Sequence, residues 1–85
     1  MMNSEKEKTI TFSIKEEKEN EIRRVLHTVY DALSEKGYNP VNQIVGYILS
    51  EDPTYITNYK NARDKMLNLD RNKVLELMVK AYLEN

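Results

Sequence analysis

The sequence predicts an all-α fold: a small compact helical domain of about five helices that forms a homodimer and carries a flexible N-terminal arm. Three observations predict it. Apolar residues recur at three- and four-residue spacing over most of the chain. Two cap-plus-proline pairs, Asn39-Pro40 and Asp52-Pro53, mark helix starts, and Gly37 marks a stop. The last helical segment is apolar over more of its circumference than one small core can cover. The division that follows is a flexible N-terminal arm over 1–14 and a helical dimerisation domain over 15–85.

Met1 to Lys8 is polar, has nothing to bury, and reads as a mobile tail. Thr9 to Ile14 alternates with period two, a short strand signal that has no partner strand. It therefore reads as an extended arm, ordered only if Ile10, Phe12 or Ile14 docks on a helix. From about Lys15 to Lys36, Ile22, Val25, Leu26, Val29, Tyr30 and Leu33 form one helical stripe. Gly37 suits a left-handed stop, with Tyr38 able to fold back on the last turn. Asn39 then caps a second helix over about 40–49, with Val41, Ile44, Val45, Ile48 and Leu49 as its stripe. Gly46 inside that helix costs about 1 kcal/mol against alanine, so it reads as the point of close approach of another backbone. A single turn over 53–56 follows, then a helix over about 58–69 with Tyr59, Ala62, Met66 and Leu69 on one face. Asp70 caps a last helix over about 71–83. The six tyrosines read as mostly core, because one phenylalanine and no tryptophan leave them most of the aromatic packing.

Composition removes several function classes. There are 85 residues, enough for one domain with a marginal core. No cysteine means no disulfide, no thiolate metal site and no cysteine nucleophile. One histidine, His27, cannot build a multi-histidine metal site within one chain, and it falls toward the solvent side. Two glycines exclude a glycine-rich phosphate loop. A net charge of −1 gives no general attraction to nucleic acid or to a membrane. No stretch reads as a membrane span or a secretory signal. Asp31, Glu35, Glu51 and Asp52 read as a solvated acidic surface and a cap, not as a paired-carboxylate site. No cofactor or metal is expected, and no nucleophile–base pair marks an enzyme.

One block is distinctive: Glu35-Lys36-Gly37-Tyr38-Asn39-Pro40, then Asn42-Gln43-Ile44-Val45-Gly46-Tyr47. It is flanked by Val29-Tyr30-Asp31-Ala32-Leu33 before it, and by Leu49-Ser50, Asp52-Pro53, Tyr55-Ile56 and Ala62-Arg63 after it. This resembles the IreB/ReoM family of small regulatory proteins of Gram-positive bacteria, from about Thr9 to Leu83. The resemblance implies an all-helical homodimer with a flexible N-terminal arm. It implies a cytoplasmic substrate of a membrane-anchored Ser/Thr kinase with extracellular PASTA repeats, and a cognate phosphatase. It further implies control of peptidoglycan synthesis, and with it antibiotic tolerance. By the same resemblance, the unphosphorylated protein is expected to promote turnover by the Clp protease machinery of the enzyme that commits precursors, and phosphorylation to relieve that effect. The family's acceptor lies in a Thr-apolar-x-Phe pattern, here Thr9-Ile10-Thr11-Phe12, so Thr9 carries over as the acceptor and Thr11 stands as a second candidate.

This chain departs from typical members, which read Ser-Gly-Asp-Pro-Ala-Tyr-Ile-Pro-Arg where it has Ser50-Glu51-Asp52-Pro53-Thr54-Tyr55-Ile56-Thr57-Asn58. A proline is lost at Thr57 and a cation at Asn58, although Thr57 can still cap a helix. Residues 57–73 carry five bases and two acids. Lys60, Arg63, Lys65 and Arg71, with Lys73, are the candidate protein-docking face. A different reading is a small helix-turn-helix nucleic-acid binder around Gly37–Pro40, but the second helix is mostly apolar, and a recognition helix needs exposed polar residues.

Overall fold

The computed structural model describes residues 14–84, and the statements below concern that range. Its elements are α1 (Met2–Glu35, described from Ile14), α2 (Pro40–Ser50), α3 (Ala62–Leu67) and α4 (Arg71–Glu84). Two 3-10 turns, Pro53–Tyr55 and Tyr59–Asn61, lie between α2 and α3. Among the described residues there is no strand, so the all-α expectation holds with four α-helices. The fifth expected segment is the 3-10 turn at Pro53. The expected helix over 58–69 is divided into a 3-10 turn and α3, because Lys60 and Asn61 adopt left-handed backbone (φ 56° and 59°). Ile14, read as the end of an alternating segment, is helical. Residues 1–13 of the expected arm, with Thr9 and Thr11, lie outside the described residues.

The caps form as the residue types demand. Gly37 sits at φ 85°, where a Cβ would be strained. Around it Tyr38 N–H reaches Leu33 O (2.9 Å) and Gly37 N–H reaches Ser34 O (3.0 Å), which satisfies the last carbonyls of α1. Asn39 Oδ1 accepts from Asn42 N–H (3.1 Å), with Pro40 opening α2. Asp70 Oδ1 accepts from Asn72 N–H (2.9 Å) and Lys73 N–H (3.3 Å) at the start of α4. The C-cap of α2 is less expected. Glu51 holds φ 60°, left-handed, although it is not a glycine. That conformation costs a non-glycine residue roughly 1–2 kcal/mol.

One core joins the helices. Val29, Ala32 and Leu33 of α1 are fully buried against Ile44, Tyr47 and Ile48 of α2 and against Ala62 and Met66 of α3. Ile56, fully buried, plugs the centre from the segment between the 3-10 turns. Val74 and Leu77 bring α4 onto the same core, and Ile22 extends it along α1. Each large aliphatic buried here contributes about 1.5–3 kcal/mol.

Two packing expectations need correction. The tyrosines are not mostly core: Tyr47 is buried, whereas Tyr30, Tyr38, Tyr55, Tyr59 and Tyr82 are exposed to differing degrees. β-Branched and aliphatic residues fill the interior instead, which leaves the phenol hydroxyls in water, where they need no protein partner. Gly46 is a close contact, but its neighbour is a ring and not a backbone. A Cβ there would lie 2.6 Å from Tyr55 Cδ1 and 2.9 Å from Cζ.

Candidate functional site

The basic segment 57–73 starts in a loop that is fastened at nearly every polar group. Asp52 opens it: Oδ1 accepts from Thr54 N–H (3.0 Å) and from the Thr54 hydroxyl (2.7 Å). These bonds hold the Asp52 carboxyl below its ordinary pKa. Slight desolvation opposes them, and the Arg63 charge adds a smaller pull downward. Tyr55 O accepts from Gln43 Nε2 of α2 (3.0 Å). Thr57 caps, as its type allows: Oγ1 accepts from Tyr59 N–H (3.2 Å), and its carbonyl accepts from Arg63 N–H (3.1 Å).

The four candidate cations take different places. Lys60 leans back on the end of α1, where its Nζ lies 3.1 Å from Glu35 Oε2 and the same carboxylate accepts from the Tyr59 hydroxyl (3.2 Å). The hydrogen bond and the charge of Glu35 raise the Lys60 pKa. The Tyr59 ring carries Lys36 and Lys60 ammonium groups at 5.3 Å each, a double cation–π contact. Arg63 turns inward, and its Nε donates to Ile56 O (2.8 Å). Arg71 bridges two elements: one guanidinium nitrogen donates to Ile48 O (2.5 Å) and another lies 2.8 Å from Glu51 Oε2. That pair holds the strained Glu51 at the end of α2. Lys65 is exposed and, among the described residues, makes no ion pair.

The candidates therefore do not form one open basic patch. Arg63 and Arg71 spend guanidinium nitrogens on backbone carbonyls and Lys60 is tied to α1, whereas Lys65 has no such partner among the described residues. Composition missed the fasteners, Gln43 and Glu35, because their partners lie 12 and 25 residues away. No local pattern predicts such pairs. Other expectations hold: His27 is solvent-facing, and Asp52 is a cap. Among the described residues no cluster of three or more His, Cys, Asp or Glu side chains suits a metal ion. Among them, too, no helix is long and apolar enough to cross a membrane.

Exposed apolar residues gather on two helices. Val41, Val45 and Leu49 run along α2 at four-residue spacing, and Leu75, Val79, Tyr82 and Leu83 run along α4. Of the α1 stripe, Ile22, Val29 and Leu33 are buried in the protomer's own core, Val25 and Leu26 pack partly against it, and Tyr30 is exposed.

A small helical domain whose polar side chains fasten loops, and whose surplus surface is apolar, belongs to the class of interaction and regulatory modules. The sequence comparisons place it within that class. Residues 7–84 match the family described as IreB regulatory phosphoprotein, and the chain belongs to that family. It is similar to a "UPF0297 protein" of Ruminiclostridium cellulolyticum, 60% identical over 77 residues, which cover 91% of this chain and 88% of the relative. It is also similar to a "UPF0297 protein" of Acetivibrio thermocellus, 55% identical over 76 residues, covering 89% of this chain and 84% of the relative. Its role is accordingly regulatory.

Proposed function

We propose that the chain is a non-catalytic, cytoplasmic regulator that a PASTA-type Ser/Thr kinase switches by phosphorylating Thr9, with Thr11 as a secondary acceptor. In this reading the unmodified protein promotes Clp-dependent turnover of a peptidoglycan precursor enzyme, and phosphate relieves that effect until the cognate phosphatase removes it. The observation that carries the reading is the family match over residues 7–84, which spans the Thr9-Ile10-Thr11-Phe12 pattern. The working unit is a homodimer. The apolar stripes of α2 and α4 support it, because they leave more exposed hydrophobic surface than a small monomer ordinarily tolerates. Val41, Val45 and Leu49 also count against a recognition helix, since an apolar row reaches no base edges.

The test is treatment with the partner kinase and phosphatase, followed by site mapping. Thr9→Ala should remove most phosphate incorporation, with melting unchanged. Dominant labelling of Thr11, with Thr9→Ala labelled as well as the parent, overturns the assignment. Labelling confined to the helices overturns the whole reading.

A further inference from the structure

α1 lies backbone to backbone against α2 and against α3. Among the described residues α4 has no comparable approach to any of them and is held by side chains. Val74 is fully buried and Leu77 nearly so, both in its first half. From Val79 to Glu84 every residue is exposed. Where α4 faces α1, open space remains. A groove of about 600 Å³ is lined by Lys18 and Ile22 of α1 and by Lys73 and Glu76 of α4. A second, of about 360 Å³, lies between Arg23 and the turn from Ala81 to Glu84. Glu19, Leu77 and Lys80 border both. Among the described residues no ion pair crosses either groove.

The polar fastening of α4 sits at its other end. Arg71 opens the helix, yet its guanidinium serves α2: it donates to Ile48 O, one of the last carbonyls of that helix, and pairs with Glu51 at the C-cap. Among the described residues no other side chain of α4 makes a polar bond to a different helix. Arg71 stands three residues before buried Val74, and Glu84 ten residues after it. At 1.5 Å per residue the two arms are about 5 and 15 Å long. We propose that α4 is a rocking lever over α1, with Val74 as its fulcrum and Arg71 as the stay that sets its tilt. The width of the grooves is then governed from beyond the fulcrum, by the Ile48 bond and the Glu51 pair. A contact that draws Glu51 away from Arg71 frees the tip of α4 to swing, while α1, α2 and α3 keep their places. The lever concerns α4 against its own protomer, and it rests on neither the phosphorylation reading nor the dimer.

The chain has no cysteine, so introduced pairs place two spin labels in the full-length protein at chosen sites. Asn42→Cys with Glu84→Cys reads the lever, and Asn42→Cys with Arg24→Cys reads the body; all three positions are exposed. Labelled chains are diluted with unlabelled ones, so that only distances within one chain are counted. At low salt both pairs should give one narrow distance. Arg71→Ala should broaden the lever pair by several ångströms, since a tilt of about 30° carries a 15 Å arm through roughly 8 Å, and should leave the body pair narrow. Glu51→Gln keeps the Ile48 bond and should broaden the lever pair less. The Arg71–Glu51 side chains are 35% and 68% exposed, so salt screens them. At about 1 M, where the screening length is about 3 Å, the parent should approach the width of Glu51→Gln. A lever pair that stays narrow in Arg71→Ala and in Glu51→Gln overturns the proposal, as does one already as broad in the parent. Equal broadening of both pairs overturns it in favour of a general loosening of the fold. If Arg71→Ala does not fold, Glu51→Gln and the salt series decide by the same readings.

Discussion

Gly46→Ala isolates the tightest packing decision in the fold. On helix propensity alone the substitution stabilises by about 1 kcal/mol. The structure opposes it: the new Cβ meets the Tyr55 ring, with Cδ1 at 2.6 Å, Cζ at 2.9 Å and Cε1 closer still. The ring must swing away from α2, and overpacking of this kind costs about 1–3 kcal/mol. The net expectation is a destabilisation of up to about 2 kcal/mol, centred near 1, a Tm decrease of roughly 4–8 °C for a domain of this size. Gly46→Leu should cost more. The decisive measurement is a double-mutant cycle with Tyr55→Ala, melted at one fixed protomer concentration so that association does not shift Tm. Without the ring the same Gly46→Ala change should recover its propensity and raise Tm. The coupling energy should thus be of the order of the overpacking term, about 1–3 kcal/mol. If Gly46→Ala stabilises the parent, or if the two changes simply add, the ring is not what requires glycine.

Arg63→Ala removes the Nε–H partner of the carbonyl of fully buried Ile56, and should cost about 1–3 kcal/mol in chemical denaturation, more than Lys65→Ala, which removes nothing that is paired. Asp52 has a carboxyl held below its ordinary pKa, so the folded state binds fewer protons there than the unfolded chain. Its contribution is present at neutral pH and fades as pH falls below about 4 and through the lower folded value. The Tm gap between the parent and Asp52→Asn should therefore narrow in acid, and a gap constant down to pH 2 contradicts the cap assignment. Val45→Glu on α2 and Val79→Glu on α4 change exposed positions, so far-UV helicity should persist while light scattering shifts from dimer to monomer. A parent that is monomeric at micromolar concentration removes the dimer from the proposed function.

By itself the sequence determined what is local. The Gly37 stop and the Asn39, Asp52 and Asp70 caps depend on residues within one or two turns of each other, and all of them form, as do the helical stripes apart from the one expected over 58–69, which breaks at Lys60 and Asn61. It also carried the block that marks the family. Tertiary structure alone decided which groups meet across long separations. Gln43 holds the Tyr55 carbonyl, Glu35 holds Lys60, and Arg71 ties the end of α2 to the start of α4. Composition presented Lys60, Arg63, Lys65 and Arg71 as one basic face, whereas three of them bond to groups of the protomer itself, Lys60 still at the surface. It likewise presented six tyrosines as core, whereas Ile56, Val29, Leu33 and Val74 fill the interior and most phenols stay in water. The physical reason is the same in each case. A cap or a periodic stripe is satisfied by neighbours along the chain, but a side chain's partner and its burial are fixed only once the helices have chosen their faces.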